Sequence, residues 1–307
     1  MLSKKTPGVG MLALALLLSC EQSNVENLVP VDDSPVFAEF PGGSSARGRA
    51  GDEGTYAVYS AEYITASESG QVGRTVYFSD VGNKQLEADF SPLVSLDGTS
   101  DVSWYVDPKR PSADLPVAVT TAAIDRAMHT WAGVKCSDLG LFKVPYNPAI
   151  NTGYVSALLG FGGSYAYVAD VVHAGWLPAT FFDFLAPEGS TFILGVTFTL
   201  TFTDENGEPL DSNNDGKVDV AWREIYYNDA FLWRDGGTYD VETIALHESG
   251  HGLSQAHFGK AFADGGQGKL HFAPRAVMNA AYSGVQTKIT GSDNGGHCSI
   301  WANWPNQ

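Results

Sequence analysis

Three observations predict an α+β fold. Several stretches alternate β-branched or aromatic residues with small and polar ones, which is the period of half-buried strands. Two other stretches, near residues 114–133 and 240–253, carry apolar or histidine residues at helical spacing. The 307-residue chain is 44% hydrophobic and 12% aromatic but only 17% charged, which excludes a coiled coil or a disordered tail. That length suffices for one large core or two modest domains.

Taken in order, residues 1–19 read as a targeting leader. Lys4 and Lys5 give a basic start, and Val9 to Ser19 is nearly all apolar but too short to span a bilayer. The run ends "LLSC", which resembles a bacterial lipoprotein signal and implies cleavage before Cys20 and acylation of that cysteine. The expected product is exported to the cell envelope and held at a membrane by its acyl chains. Residues 20–55, with "PGGSSARGRAGDEG", read as a flexible tether. Residues 56–100 read as a β-rich N-terminal extension, through "TYAVYSAEYI" and "RTVYFSD", with a prosegment as one possible role. Residues 101–307 read as the remaining, larger domain.

Within that domain "VSWYV" reads as a strand. "DLPVAVTTAAIDRAMHTWAG" reads as a helix with Asp114 as its cap, Pro116 in its first turn and Gly133 at its end. Ile124, Ala127, Met128 and Trp131 form its apolar stripe. "LFKVPY", "YAYVADVVHAGW", "STFILGVTFTLTF" and "VAWREIYYND" read as strands. "DVETIALHESGHGL" reads as a helix from Asp240 to about Leu253.

The formal charge of −17 argues against nucleic-acid binding, which needs a basic footprint. With Cys20 acylated, Cys136 and Cys298 remain; in an exported chain they are expected to pair, two separate buried thiols being the alternative.

The candidate chemistry lies in "HESGHGLSQAH". His247 and His251 are four residues apart, so a helix aims both the same way, about one turn apart. Two imidazoles so placed suit zinc, and Glu248 beside them suits a general base that takes a proton from water at the metal. A third protein ligand is needed. No glutamate follows Glu248, so His257 is the leading candidate and Asp264 the alternative. A second expected metal is calcium in "DSNNDGKVD", with Asp211, Asn213, Asp215 and Asp219 at positions 1, 3, 5 and 9, Gly216 at 6, and Lys217 giving its carbonyl. The same residues also suit an ordinary turn between two strands.

His247-Glu248-Ser249-Gly250-His251-Gly252-Leu253-Ser254-Gln255-Ala256-His257, followed by "AVMNAAY" around Met278, resembles the signature of the metzincin zinc peptidases, in their matrixin-like branch. The resemblance covers roughly residues 101–307. It implies a twisted, mixed, five-stranded sheet, a zinc-binding helix and a C-terminal subdomain. It implies zinc on His247, His251 and His257, Met278 as the floor under them, and Tyr282 as a donor to a developing oxyanion, with plain packing the alternative for Tyr282. It also implies that strand 191–203 is a free sheet edge to which an extended peptide adds. "ADVVHAGW" is similar to a structural-zinc segment, but the partner histidines are missing, so His173 is expected to be a hydrogen-bonded strand residue. Neither His271 nor His297 is an expected ligand. Ser254 stands where the family usually has glycine in a left-handed turn, at a cost of about 1 kcal/mol. The implied activity is a zinc endopeptidase acting on proteins or peptides. The rival readings are a non-catalytic surface lipoprotein stabilised by calcium and zinc, and a peptidase using Asp264.

Overall fold

The computed structural model describes residues 28–41, 55–78, 88–265 and 268–306. The leader, Cys20 and "ARGRAG" lie outside the described residues. Along the chain run β1 (Leu28–Pro30), β2 (Val36–Phe37), β3 (Thr55–Ala66), β4 (Thr75–Tyr77), β5 (Ala88–Asp89), β6 (Val102–Val106) and α1 (Val117–Ala132). Then come β7 (Leu141–Lys143), α2 (Tyr154–Leu158), β8 (Val171–Leu177), β9 (Ile193–Thr203), β10 (Val218–Asn228) and α3 (Val241–Gly252). The chain closes with β11 (Lys260–Asp264), β12 (Leu270–Ala273), β13 (Ala281–Tyr282) and α4 (Gly291–Trp301). The class is α+β: one large mixed sheet with few helices.

That sheet has ten strands among the described residues, not five, in the order β2-β4-β3-β9-β10-β8-β6-β7, with β13 on β3 and β5 on β10. Strands β7, β6, β8 and β10 run parallel, whereas β9 is antiparallel to β10. The surplus comes largely from residues expected to form a separate extension. β3 pairs antiparallel with β9 from Thr55–Thr203 to Thr65–Ile193. The expected free edge at β9 is therefore occupied by the chain's own β3, and no sheet boundary falls at residue 100. The reason is in the β3 sequence: Tyr56, Val58, Ala61 and Tyr63 pack in the same core cluster as Phe198, Leu200 and Trp222, so leaving β9 would expose them.

Each face of the sheet carries its own core. Helices α1 and α3 lie on one, where the stripe of Ile124, Ala127, Met128 and Trp131 is buried with Ile244, Ala245 and Leu246. The Trp131 indole N–H donates to the Leu246 carbonyl at 2.9 Å, which fixes α1 against α3. Asp114 does not cap α1. Pro116 stands at that position, and the Asp114 carboxylate accepts from the Trp233 amide at 2.9 Å. Cys136 and Cys298 form a disulfide, tying the segment after α1 to α4.

Candidate metal centre

Helix α3 starts at Asp240, whose carboxylate caps it by accepting from the Thr243 amide at 2.9 Å. Its second and last turns carry His247 and His251, both buried. The helix stops after Gly252, and Ser254 turns the chain in the left-handed region with φ of 67°. That reversal returns His257. The Nε2 atoms of His251 and His247 lie 3.0 Å apart, and those of His251 and His257 3.2 Å. Among the described residues these three are the group of histidine, cysteine or acidic side chains whose donor atoms gather within 4.8 Å, and they could hold a metal ion.

The protonation pattern tests the fit. His247 Nδ1 lies 2.7 Å from the Val277 carbonyl oxygen, and His251 Nδ1 lies 2.7 Å from that of Gln255. A carbonyl only accepts, so both Nδ1 atoms carry the proton and both Nε2 atoms present lone pairs. Two lone pairs facing at 3.0 Å repel each other. A cation between them removes that repulsion, and zinc–nitrogen bonds of about 2.0–2.1 Å in a tetrahedron put the nitrogens about 3.3 Å apart. The donor set therefore fits a tetrahedral, nitrogen-preferring divalent ion. Burial also lowers His247 to about 4 and His251 and His257 well below the ordinary imidazole range, so all three are in the neutral, ligating form.

Glu248 is fully buried against β9. Its Oε2 accepts from the Thr197 hydroxyl at 2.6 Å, while its Oε1 is buried without a partner. Burial drives this carboxyl well above the usual range; the Thr197 bond and the nearby Ile64 backbone oppose that shift. Gly195 makes room for it, since a Cβ there would stand 3.0 Å from Oε1. A protonatable carboxyl with one free oxygen, one residue from a metal ligand, is suited to proton transfer.

Met278 lies beneath α3, where a Cβ on Gly250 would meet its sulfur at 2.3 Å. The Val277–Met278 turn is held by Asp293 of α4, whose two carboxylate oxygens accept from the Val277 and Met278 amides at 3.0 Å each. Since the Val277 carbonyl orients His247, Asp293 acts on the ligand through one peptide unit. At the other turn, the buried Arg223 guanidinium donates to the Ser254 hydroxyl at 2.9 Å and to the Gly252 carbonyl at 3.2 Å. The turn that the sequence marks as strained is thus braced by a charged donor. Sequence reading missed Thr197, Gly195, Arg223 and Asp293. Only Asp293 left a local signal, since it lies three residues after Thr290 in a capping box.

Other expected residues lie elsewhere. The Tyr282 hydroxyl donates to the Gly237 carbonyl and accepts from the Asp240 amide, both at 3.2 Å, so in this structure it braces the start of α3. Asp264 lies outside the histidine group; it ends β11 and accepts from the Lys269 amide at 3.2 Å. His173 is buried in β8 with Nδ1 2.8 Å from the Tyr227 hydroxyl, and His297 stacks on Trp131. The Asp211, Asp215 and Asp219 carboxylates do not gather as closely as the three histidines do. Asp211 accepts from the Gly216 amide at 3.0 Å, Asp219 from the Ser212 amide at 2.8 Å, and the Lys217 ammonium lies 2.9 Å from Asp89. The loop closes on its own amides, as an Asp-rich turn does.

A cavity of about 430 Å³ reaches this region, lined by His257, Glu62, Tyr59, Thr199 and Arg223. His247, His251 and Glu248 do not line it. No protein-family model matches the chain, and no curated protein matches it either.

Proposed function

We propose that this chain is a zinc-dependent endopeptidase, with His247, His251 and His257 as metal ligands and Glu248 as general base. The observation that carries the reading is the convergence of three Nε2 atoms beside a buried carboxyl with one unpartnered oxygen. Zinc, when bound, supplies Lewis acidity that makes water acidic near neutral pH. The protein's own share is orientation and proton handling. The Val277 and Gln255 carbonyls fix the two helix imidazoles, and Thr197 fixes Glu248. Glu248 then accepts a proton from water and returns it to the leaving amine. Export and lipid anchoring belong to the same proposal and rest on residues 1–20 alone.

A specific observation favours a second reading, a closed structural metal site: His247, His251 and Glu248 are fully buried. The two readings separate on Glu248→Gln. The peptidase reading expects the variant to keep its zinc and lose cleavage of a fluorogenic peptide library by about a hundredfold or more. Unchanged cleavage in that variant would count against Glu248 as the base. Tight zinc with no cleavage by any form of the protein would favour the structural site.

A further inference from the structure

The burial that favours a structural site has a particular source. Strand β9 presents Gly195 and Thr197 to Glu248, so any chain bonded to β9 there lies over the candidate base. The chain found there is β3, with Glu62 opposite Thr197, Tyr63 opposite Val196 and Ile64 opposite Gly195. These three residues span the site. A Glu62 carboxylate oxygen lies 3.4 Å from His251 Nδ1, and the Ile64 backbone lies near the Glu248 carboxyl.

The segment is held from its other side as well. Thr65 pairs in parallel with Ala281, and its hydroxyl donates to the Gln71 carbonyl at 2.7 Å and lies 3.2 Å from that of Ala280. Ile64 is 2% exposed and belongs to the same apolar cluster as Leu194, Ile244, Ala245, Val277 and Tyr282. This is how a peptide bound by strand addition is gripped: main-chain bonds along its length and a pocket for one side chain. The β3–β9 ladder also shifts register between Ile64 and Thr65, so the pairing is irregular at that point. The Tyr63 carbonyl, which precedes Ile64, is packed on Gly73, where a Cβ would stand 1.9 Å away. That carbonyl is taken up by packing, which makes β3 an occupant rather than a presented substrate.

We propose that Glu62–Thr65 of β3 fill the place of an extended peptide substrate. The described fold is a self-blocked form, and the substrate class is a polypeptide that adds antiparallel to β9 with a branched aliphatic side chain where Ile64 sits. This rests on the peptidase reading.

The test locks β3 in place. Ser60 and Thr199 face each other across the ladder and are both small, so S60C/T199C can crosslink them with little change in volume. Full-length zinc-loaded protein would be assayed oxidised and reduced on a fluorogenic peptide library, with zinc content and circular dichroism recorded. Wild type taken through the same treatments controls for its own disulfide. The oxidised variant is expected to keep zinc and fold but to cleave about tenfold or more slowly than its reduced form. Ile64→Asp, which puts a charge in an apolar pocket, is expected to cleave faster than wild type and to relieve the block. Equal cleavage by the oxidised and reduced forms overturns the inference and leaves the peptidase reading standing. If wild type, the reduced variant and Ile64→Asp all hold zinc and none cleaves, the peptidase reading falls and the inference with it.

Discussion

Replacing Ser254 tests how the turn that delivers His257 is stabilised. The residue sits at φ of 67°, where a side chain costs about 1 kcal/mol relative to glycine. Taken alone, that strain predicts that Ser254→Gly stabilises the protein. Two opposing effects reverse the sign. Glycine loses more backbone entropy on folding, about 0.5–1 kcal/mol, which offsets most of the relief. The substitution also removes the hydroxyl that accepts from Arg223 at 2.9 Å. A hydrogen bond to a charged group contributes about 1.5–3 kcal/mol, and Arg223 is only 2% exposed, so the lost acceptor is poorly replaced by water. The net expectation is that Ser254→Gly is less stable by about 1–3 kcal/mol. Ser254→Ala loses the bond and keeps the strain, so it should be at least as unstable. Urea unfolding of the three proteins in chelator, with equal m-values as the check on two-state behaviour, gives the order directly. A Ser254→Gly protein as stable as the native one would refute the compensation by Arg223.

Three other predictions follow from the same geometry. Asp293→Asn turns one acceptor of the Val277–Met278 turn into a donor, so stability should fall by about 3 kcal/mol and zinc affinity by about tenfold or more; urea unfolding and competition with a chromophoric chelator measure the two, and unchanged values in both would refute the relay to His247. His173 is lowered to about 3, first by burial and then by the Lys143 charge, so it binds its proton only when the chain unfolds. Its contribution is complete above the unfolded value near 6.5 and is lost as pH falls toward 3, amounting to about 2 kcal/mol at pH 5. The difference in stability between wild type and His173→Phe should therefore shift by that amount in favour of the variant from pH 7 to 5, and a pH-independent difference would disprove it. Removing the Cys136–Cys298 disulfide, which closes a separation of 162 residues, should lower stability by about 2–5 kcal/mol, read as the fall in urea midpoint of the Cys136→Ser/Cys298→Ser variant.

The strands and helices around the site were legible because their signals are local. β9 and β10 announce themselves by β-branched and aromatic alternation, and α3 by its capping aspartate and by histidines four apart. The pairing of His257 with His247 and His251 was also legible, because one short turn joins all three. The partners of Tyr282 were not legible, because four residues after a methionine do not fix where a hydroxyl points. Its direction depends on the Gly237–Asp240 loop, which is distant in sequence.

What the sequence alone determines is therefore the chemistry on offer: imidazoles and a carboxylate at helical spacing, and strands ready to pair. What only the tertiary structure decides is which strand takes which edge and which distant groups hold the ligands. Asp293 and Arg223 act across 15 and 31 residues, and β3 reaches Thr197 and Glu248 from more than a hundred residues away. The physical reason is that edge pairing and burial compare alternatives over the whole chain. Tyr56, Ala61 and Tyr63 favour β9 because their side chains complete a core built by later strands, and no window of sequence contains both halves of that contact.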